Sequence, residues 1–116
     1  MKIMKFGGTS VGKPQRMREV STLITKDSES KIVVLSALSG TTNSLVEIGN
    51  CLAISDRIKA KENINTLEAH YKNFVRELFT TEEYVAKADA ILQEHFEFLN
   101  IILKISFKRL RGKRFK

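Results

Sequence analysis

The sequence has a single cysteine and no long apolar run, and both features narrow the class of protein. Cys51 stands alone among 116 residues, which excludes an internal disulfide and a zinc site built from several cysteines. No segment approaches the ~20 apolar residues of a membrane span, and the first residues lack the apolar core of a signal peptide. We therefore expect one small cytoplasmic domain with no membrane partner.

Acidic residues are missing from the carboxyl-terminal segment, and this absence decides how the net charge of +7 is interpreted. Residues 1–103 hold 13 basic and 13 acidic side chains, whereas residues 104–116 hold seven basic side chains and no acidic one. The zero net charge of residues 1–103 argues against nucleic acid as the main partner, because nucleic-acid-binding proteins usually carry a basic surface on the folded domain. The two segments therefore need separate explanations.

Hydrophobic patterning predicts a strand, a helix and a second strand near the amino terminus. Residues 2–6 alternate with a period near two and are followed by two glycines. Pro14 suits the first turn of a helix, and the apolar stripe behind it predicts a helix that ends near Lys26. Residues 31–36 contain a β-branched run typical of a strand that is covered on both faces. This βαβ pattern predicts two adjacent parallel strands.

The remainder of the chain is predicted to be helical. A capping box at Thr80-Thr81-Glu82-Glu83 separates two apolar stripes. The first stripe consists of Ile64, Leu67, Tyr71, Phe74, Val75 and Leu78. The second consists of Phe96, Leu99, Leu103, Phe107 and Leu110. Two strands and about four helices predict an α/β fold, although two parallel strands alone make a poor sheet.

The turn after the first strand carries residues suited to binding phosphate. Gly7, Gly8 and Ser10 follow the strand directly, and glycine lets backbone amides approach an anion closely. Lys5, at the end of the strand, would add a compact positive charge that stabilises a transferring phosphoryl group. On physical grounds alone, a tight strand-to-helix turn explains the glycines equally well.

A second loop of small and hydroxylated residues, at 36–43, follows the second strand. Because the carboxyl ends of parallel strands share one edge of a sheet, Ser36 and Gly7 are expected at the same edge. The hydroxyl groups of this loop are suited to binding a carboxylate or a phosphate. Ordinary capping of the next helix by Thr42 or Asn43 is the alternative interpretation.

Two segments of the chain carry a more specific signal. The first reads Lys5-Phe6-Gly7-Gly8-Thr9-Ser10-Val11, and the second reads Val33-Val34-Leu35-Ser36-Ala37 with Thr42-Asn43 behind it. Together they closely resemble the amino-terminal part of the aspartate kinases, members of the amino-acid kinase family. The sequence from Ser39 to Leu45 also resembles the kinase half of bifunctional aspartokinase/homoserine dehydrogenases.

The resemblance implies the amino-terminal portion of the amino-acid kinase fold, parallel strands with flanking helices, followed by a mainly helical segment. It implies ATP-dependent phosphorylation of the side-chain carboxylate of L-aspartate to 4-phospho-L-aspartate, with Mg²⁺, in a homo-oligomeric parent enzyme. That reaction is the first step towards lysine, threonine and methionine.

Each role implied by the resemblance falls on one position of this chain. Lys5 matches the catalytic lysine that holds the ATP phosphates, and Gly7, Gly8 and Ser10 match the phosphate loop. Ser36 matches a serine near the transferred phosphoryl group, and Thr42 a threonine that binds aspartate. No residue is assigned to metal.

The resemblance covers about residues 2–100 and implies a partial amino-acid kinase domain at residues 1–103. The basic tail at 104–116 departs from the family pattern. The family would continue with a glutamate segment and a second glycine-rich loop, so we expect the chain alone to be inactive. A frameshifted or truncated pseudogene product is one alternative. The other is a small basic module that binds nucleic acid or an anionic surface through the tail.

Overall fold

The computed structural model describes residues 1–114, with side chains described as far as Ser106. Its elements, in chain order, are β1 (Lys2–Phe6), a 3₁₀ turn (Gly8–Val11), α1 (Pro14–Ile24), β2 (Lys31–Leu35), α2 (Thr41–Ala53), α3 (Arg57–Leu78) and α4 (Glu82–Arg114). Two strands with four α-helices confirm the predicted α/β fold. Within the described part of the chain, no helix combines the length and apolarity needed to cross a membrane.

The sheet consists of β1 and β2, which pair in parallel with α1 as the crossover. Lys2 lies opposite Lys31 and Phe6 lies opposite Leu35, so the two strands end level with each other. The predicted βαβ unit is confirmed. Two of its bounds differ slightly, because α1 ends two residues before Lys26 and β2 ends one residue before Ser36.

Helix α1 covers one face of the sheet and leaves the other face open. Leu35 lies beside the apolar side of α1, near Val20 and Ile24. On the opposite face Ile3 and Val34 are 73% and 46% exposed. The prediction that β2 is covered on both faces is therefore wrong for this chain, because α1 packs on one face of the strand and nothing among the described residues covers the other.

The main core lies between the helices α2, α3 and α4 and not against the sheet. Its buried members are Ile48, Cys51, Ala60, Ile64, Leu67, Phe96 and Leu103. Both predicted helical stripes supply this core, as the buried positions on α3 and α4 show. Two positions of the second stripe, Phe107 and Leu110, have side chains that lie outside the described ones.

A tight turn reverses the chain between α2 and α3. The amide of Asp56 donates to the carbonyl of Cys51 at 2.8 Å, and the amide of Ser55 donates to that of Leu52 at 3.1 Å. This is the Schellman arrangement, and Ser55 adopts the left-handed φ of 59° that it requires. The carboxylate of Asp56 then accepts from the amide of Lys59 and caps α3. The carboxyl end of α2 is thus fixed by local hydrogen bonds.

Helix α4 begins one residue later than the capping box predicts. The helix starts at Glu82, and the amide of Val85 donates to the carbonyl of Thr81, so Thr81 and not Thr80 precedes the first turn. The backbone of α4 then continues without a break across position 104. The predicted division at 103/104 remains a prediction, since most side chains of the basic tail, and residues 115–116 altogether, lie outside the described part.

One side chain joins the βαβ unit to the helical core. The guanidinium of Arg18, on α1, donates to the backbone carbonyls of Glu77 and Leu78 at the end of α3. These carbonyls have no partner within their own helix, and a cation is favourable at the negative end of the helix dipole. Arg18 therefore fixes the angle between α1 and α3.

An ion-pair cluster holds the amino-terminal ends of the two strands together. The ammonium groups of Lys2 and Lys31 each lie 3.0 Å from the carboxylate of Asp27. Hydrogen bonds from Lys31 and then Lys2 hold the pKa of Asp27 well below its ordinary value. Hydrogen bonds to Asp27 and Glu29 raise the pKa of Lys2.

The substitution Asp27→Asn should lower stability at neutral pH and matter less in acid. Because the folded-state pKa of Asp27 lies below its unfolded value of about 3.9, its stabilisation is complete above that pH and is lost as the pH falls. We expect urea unfolding at pH 7 to show a larger wild-type-to-variant difference than unfolding at pH 3. Asp89→Asn, on α4, is the matched control, and a difference that grows in acid would contradict the assignment.

Candidate active site

The candidate site lies where the two parallel strands end and their following loops meet. The amide of Ser36 donates to the carbonyl of Phe6 at 3.0 Å, which extends the strand pairing by one hydrogen bond. A Cβ atom built on Gly7 would lie 3.3 Å from the Oγ of Ser36. Gly7 and Ser36 are therefore in direct contact, as the βαβ pattern predicts.

The glycine turn leaves open space in front of its backbone. Gly8 has a left-handed φ of 56°, and a Cβ atom built on it would meet nothing within 4 Å. Val11, at the end of the 3₁₀ turn, is only 1% exposed and anchors the turn to the core. A ligand can therefore approach the backbone of Gly8 closely, which is the property that phosphate binding requires.

A cavity of about 230 Å³ joins the two loops. Its lining consists of Gly8, Ser36, Ala37, Leu38, Ser39, Gly40, Thr42 and Asn43. The structure thus brings three predicted site residues, Gly8, Ser36 and Thr42, to one cavity. The lining offers hydroxyl groups and backbone amides and has no charged side chain among the residues described there, so any positive charge at this site comes from its surroundings.

Lys5 and Ser10 lie close to the site without lining the cavity. Lys5 is exposed and lies opposite Val34 in the strand register, on the open face of the sheet. The amide of Ser10 donates to the carbonyl of Gly7 at 3.2 Å, inside the 3₁₀ turn. The structure therefore places Lys5 on β1 and Ser10 in the 3₁₀ turn, and neither residue lines the cavity.

Helix α2 begins at a residue that the sequence does not predict. The residue before its first turn is Gly40, with a left-handed φ of 87° and no side-chain capping bond. The prediction of capping by Thr42 or Asn43 is wrong, because both residues already belong to the first turn of the helix. Thr42 is exposed and lines the cavity, which leaves it available to a ligand.

Gly12 is a site residue that the sequence analysis missed. A Cβ atom built on Gly12 would lie 3.2 Å from the Cβ of Ser39, closer than ordinary van der Waals contact. The backbone of Gly12 has φ −90° and ψ −18°, which any residue adopts. Its lack of a side chain is therefore needed for the contact between the loops and not for the turn. The third glycine of the sequence Gly7-Gly8-Thr9-Ser10-Val11-Gly12 was the available signal.

The substitution Gly12→Ala should push the two loops apart and destabilise the chain by about 1–3 kcal/mol, the usual cost of overpacking. Combining it with Ser39→Gly removes the opposing Cβ atom, so in the Ser39→Gly background Gly12→Ala should cost little. Chemical denaturation of the wild-type chain, the two single variants and the double variant measures the coupling energy between positions 12 and 39. An equal cost of Gly12→Ala in both backgrounds would show that the contact is not what restricts position 12.

The donor groups available for a metal ion are few. No group of three or more His, Cys, Asp or Glu side chains comes together among the described residues in a way that could hold one.

The fold and the cavity define a class before any relative is considered. Parallel strands that end at glycine-rich and hydroxyl-rich loops are typical of α/β proteins that bind anionic ligands at the carboxyl edge of a sheet. No protein-family model matches the chain. Individual relatives do match it.

These relatives are aspartokinases. The chain is 35% identical over 104 residues to Aspartokinase 2 of Arabidopsis thaliana, across 88% of this chain and 18% of that protein. It is 28% identical over 128 residues to Lysine-sensitive aspartokinase 3 of Escherichia coli, across 94% of this chain and 28% of that protein. A bifunctional aspartokinase/homoserine dehydrogenase of Arabidopsis thaliana is 43% identical over 47 residues, across 40% of this chain and 5% of that protein. The chain is therefore an aspartokinase relative.

The chain spans only about a fifth to a quarter of the length of the first two relatives. Both Arabidopsis thaliana proteins are named as chloroplastic, so the relatives leave the cytoplasmic location a prediction. Matches to proteins named as aspartokinases and to one named as a bifunctional aspartokinase/homoserine dehydrogenase likewise leave open whether the parent is bifunctional.

Proposed function

We propose that this chain forms the phosphate-binding part of an aspartate kinase, with Lys5 and Thr42 flanking the site of phosphoryl transfer. The observation that carries the proposal is the single cavity shared by Gly8, Ser36 and Thr42 at the carboxyl ends of two parallel strands. The aspartokinase relatives support the same family independently. Phosphoryl transfer suits these groups because it depends on positioning and charge stabilisation and not on covalent catalysis.

In the proposed reaction, a side-chain carboxylate oxygen of L-aspartate attacks the γ-phosphorus of ATP. The new P–O bond gives 4-phospho-L-aspartate, and the bond to ADP breaks. Backbone amides at Gly7 and Gly8 bind the phosphates, the hydroxyl group of Ser36 faces the transferred group, and Thr42 binds aspartate. Lys5 stabilises negative charge on the transferring oxygens. Mg²⁺ accompanies the nucleotide, and the parent enzyme is a cytoplasmic homo-oligomer.

We also propose that the chain on its own does not catalyse this phosphoryl transfer. Ligand pockets usually measure about 300–1,000 Å³, and the cavity of about 230 Å³ falls below that range. Lys5 lies on a sheet face that has no covering layer, so nothing holds its long side chain towards the cavity. In-line transfer requires both substrates in fixed positions, and a displacement of about 1 Å already costs about 100-fold in rate.

Tripolyphosphate, the anionic part of ATP, is expected to bind at the glycine turn. Binding should shift the amide NMR signals of Gly7, Gly8 and Ser36, and Lys5→Ala should weaken it about tenfold, because a charge-assisted hydrogen bond is lost. Lys87→Ala, on the exposed side of α4, is the matched control. Binding that survives Lys5→Ala and disappears on deletion of residues 104–116 would favour the basic binding module instead.

Turnover is the second test of the proposal. The purified chain, supplied with ATP, Mg²⁺ and L-aspartate, should form no aspartyl phosphate that hydroxylamine can trap above the level of the Lys5→Ala variant. A full-length aspartokinase assayed in parallel is the positive control for trapping of aspartyl phosphate by hydroxylamine. Trapped hydroxamate from the wild-type chain alone would show that these residues already make a complete catalyst.

A further inference from the structure

The amino-terminal end of α2 depends on a contact from outside its own sequence. Gly40 has no side chain with which to cap the helix, and the amide of Thr41 donates to the carbonyl of Leu38 at 3.1 Å in the loop before it. The opposite end of α2 is fixed locally by the turn at Ser55 and Asp56. The end of α2 that carries Thr42 has no side-chain cap of its own, so a contact from another helix would restrict it further.

Tyr71, in the middle of α3, supplies that contact. Its hydroxyl group lies 2.7 Å from the Oγ1 atom of Thr41, the first residue of α2. Thr41 is only 9% exposed and is the buried polar residue of the core region. A partly buried hydroxyl pair of this kind is costly to break on the Tyr71 side, because the buried hydroxyl group of Thr41 then keeps its desolvation penalty without a partner.

The ring of Tyr71 is itself held in place by the helical core. It contacts Phe96 of α4 edge-on, with ring centroids 6.1 Å apart, and Phe96 is 5% exposed. Tyr71 is partly buried and packs against the core cluster of α2, α3 and α4. The packing of the ring thus restricts the position of the Tyr71 hydroxyl group, which contacts the first residue of α2.

We propose that Tyr71 is a positioning residue for the site, acting through Thr41. Thr41 lies between Gly40 and Thr42, which both line the cavity facing Gly8. Holding Thr41 therefore fixes the distance between the second loop and the glycine turn. This inference rests on the proposed function, since it assigns to Tyr71 the placement of the residues that face aspartate and phosphate.

Hydrogen exchange followed by mass spectrometry on the full chain tests the positioning directly. Tyr71→Phe keeps the ring and removes the hydroxyl group, and Thr41→Val removes the other partner. Each should accelerate exchange about fivefold in a peptide covering residues 36–47, from the loss of one hydrogen bond. The double variant should exchange no faster than either single variant, because both remove the same contact. Exchange in residues 48–56, at the other end of α2, should stay unchanged.

Tyr84→Phe is the matched control, because Tyr84 is 53% exposed on α4 and far from this contact in the sequence. Tyr71→Phe should also raise the dissociation constant for tripolyphosphate several-fold, whereas Tyr84→Phe should not. Unchanged exchange at 36–47, or equal acceleration along the whole chain, would overturn the positioning role. If wild-type chain fails to bind tripolyphosphate, the proposed function fails, and the exchange measurement still decides the role of Tyr71 by itself.

Discussion

The parallel pairing of β1 with β2 is the constraint on which the rest of the structure depends. Because the strands end level with each other, the hydrogen bond from Ser36 to Phe6 brings a glycine turn and a hydroxyl-rich loop into contact. A slip of one residue would turn the side chains of a strand to the opposite face and separate these loops. The ion-pair cluster around Asp27 supports the same register from the other end of the strands.

The helices turn this local arrangement into a defined cavity. Arg18 ties α1 to the end of α3, and Tyr71 ties the middle of α3 to the start of α2. The first contact satisfies backbone carbonyls that helix α3 leaves without partners, and the second pairs two side-chain hydroxyl groups, so both restrict how the helices are oriented. Helices α1 and α2, which follow the two loops of the site, are consequently both held by contacts with α3.

Sequence reasoning recovered the parts of the fold that depend on local patterns. The period-two alternation, Pro14 and the apolar stripes identify the strands and helices, and the two loops follow from the strand order. Gly12 and Tyr71 were missed because their contacts, with Ser39 and Thr41, are distant in the sequence. The contact between Gly12 and Ser39, for example, exists only once the strands have paired. Capping at Thr42 was mispredicted because a left-handed glycine can replace a side-chain cap.

The open face of the sheet links the stability of this chain to the placement of Lys5. Ile3 and Val34 flank Lys5 on that face and remain largely exposed. Burying one such apolar side chain contributes about 1.5–3 kcal/mol, a large fraction of the 5–15 kcal/mol that stabilises an ordinary domain. A covering layer would bury these neighbours and restrict the rotamers of Lys5 in the same step. The same exposed sheet face therefore affects both the folding stability of the chain and the orientation of Lys5, the residue proposed above to stabilise the transferring phosphoryl group.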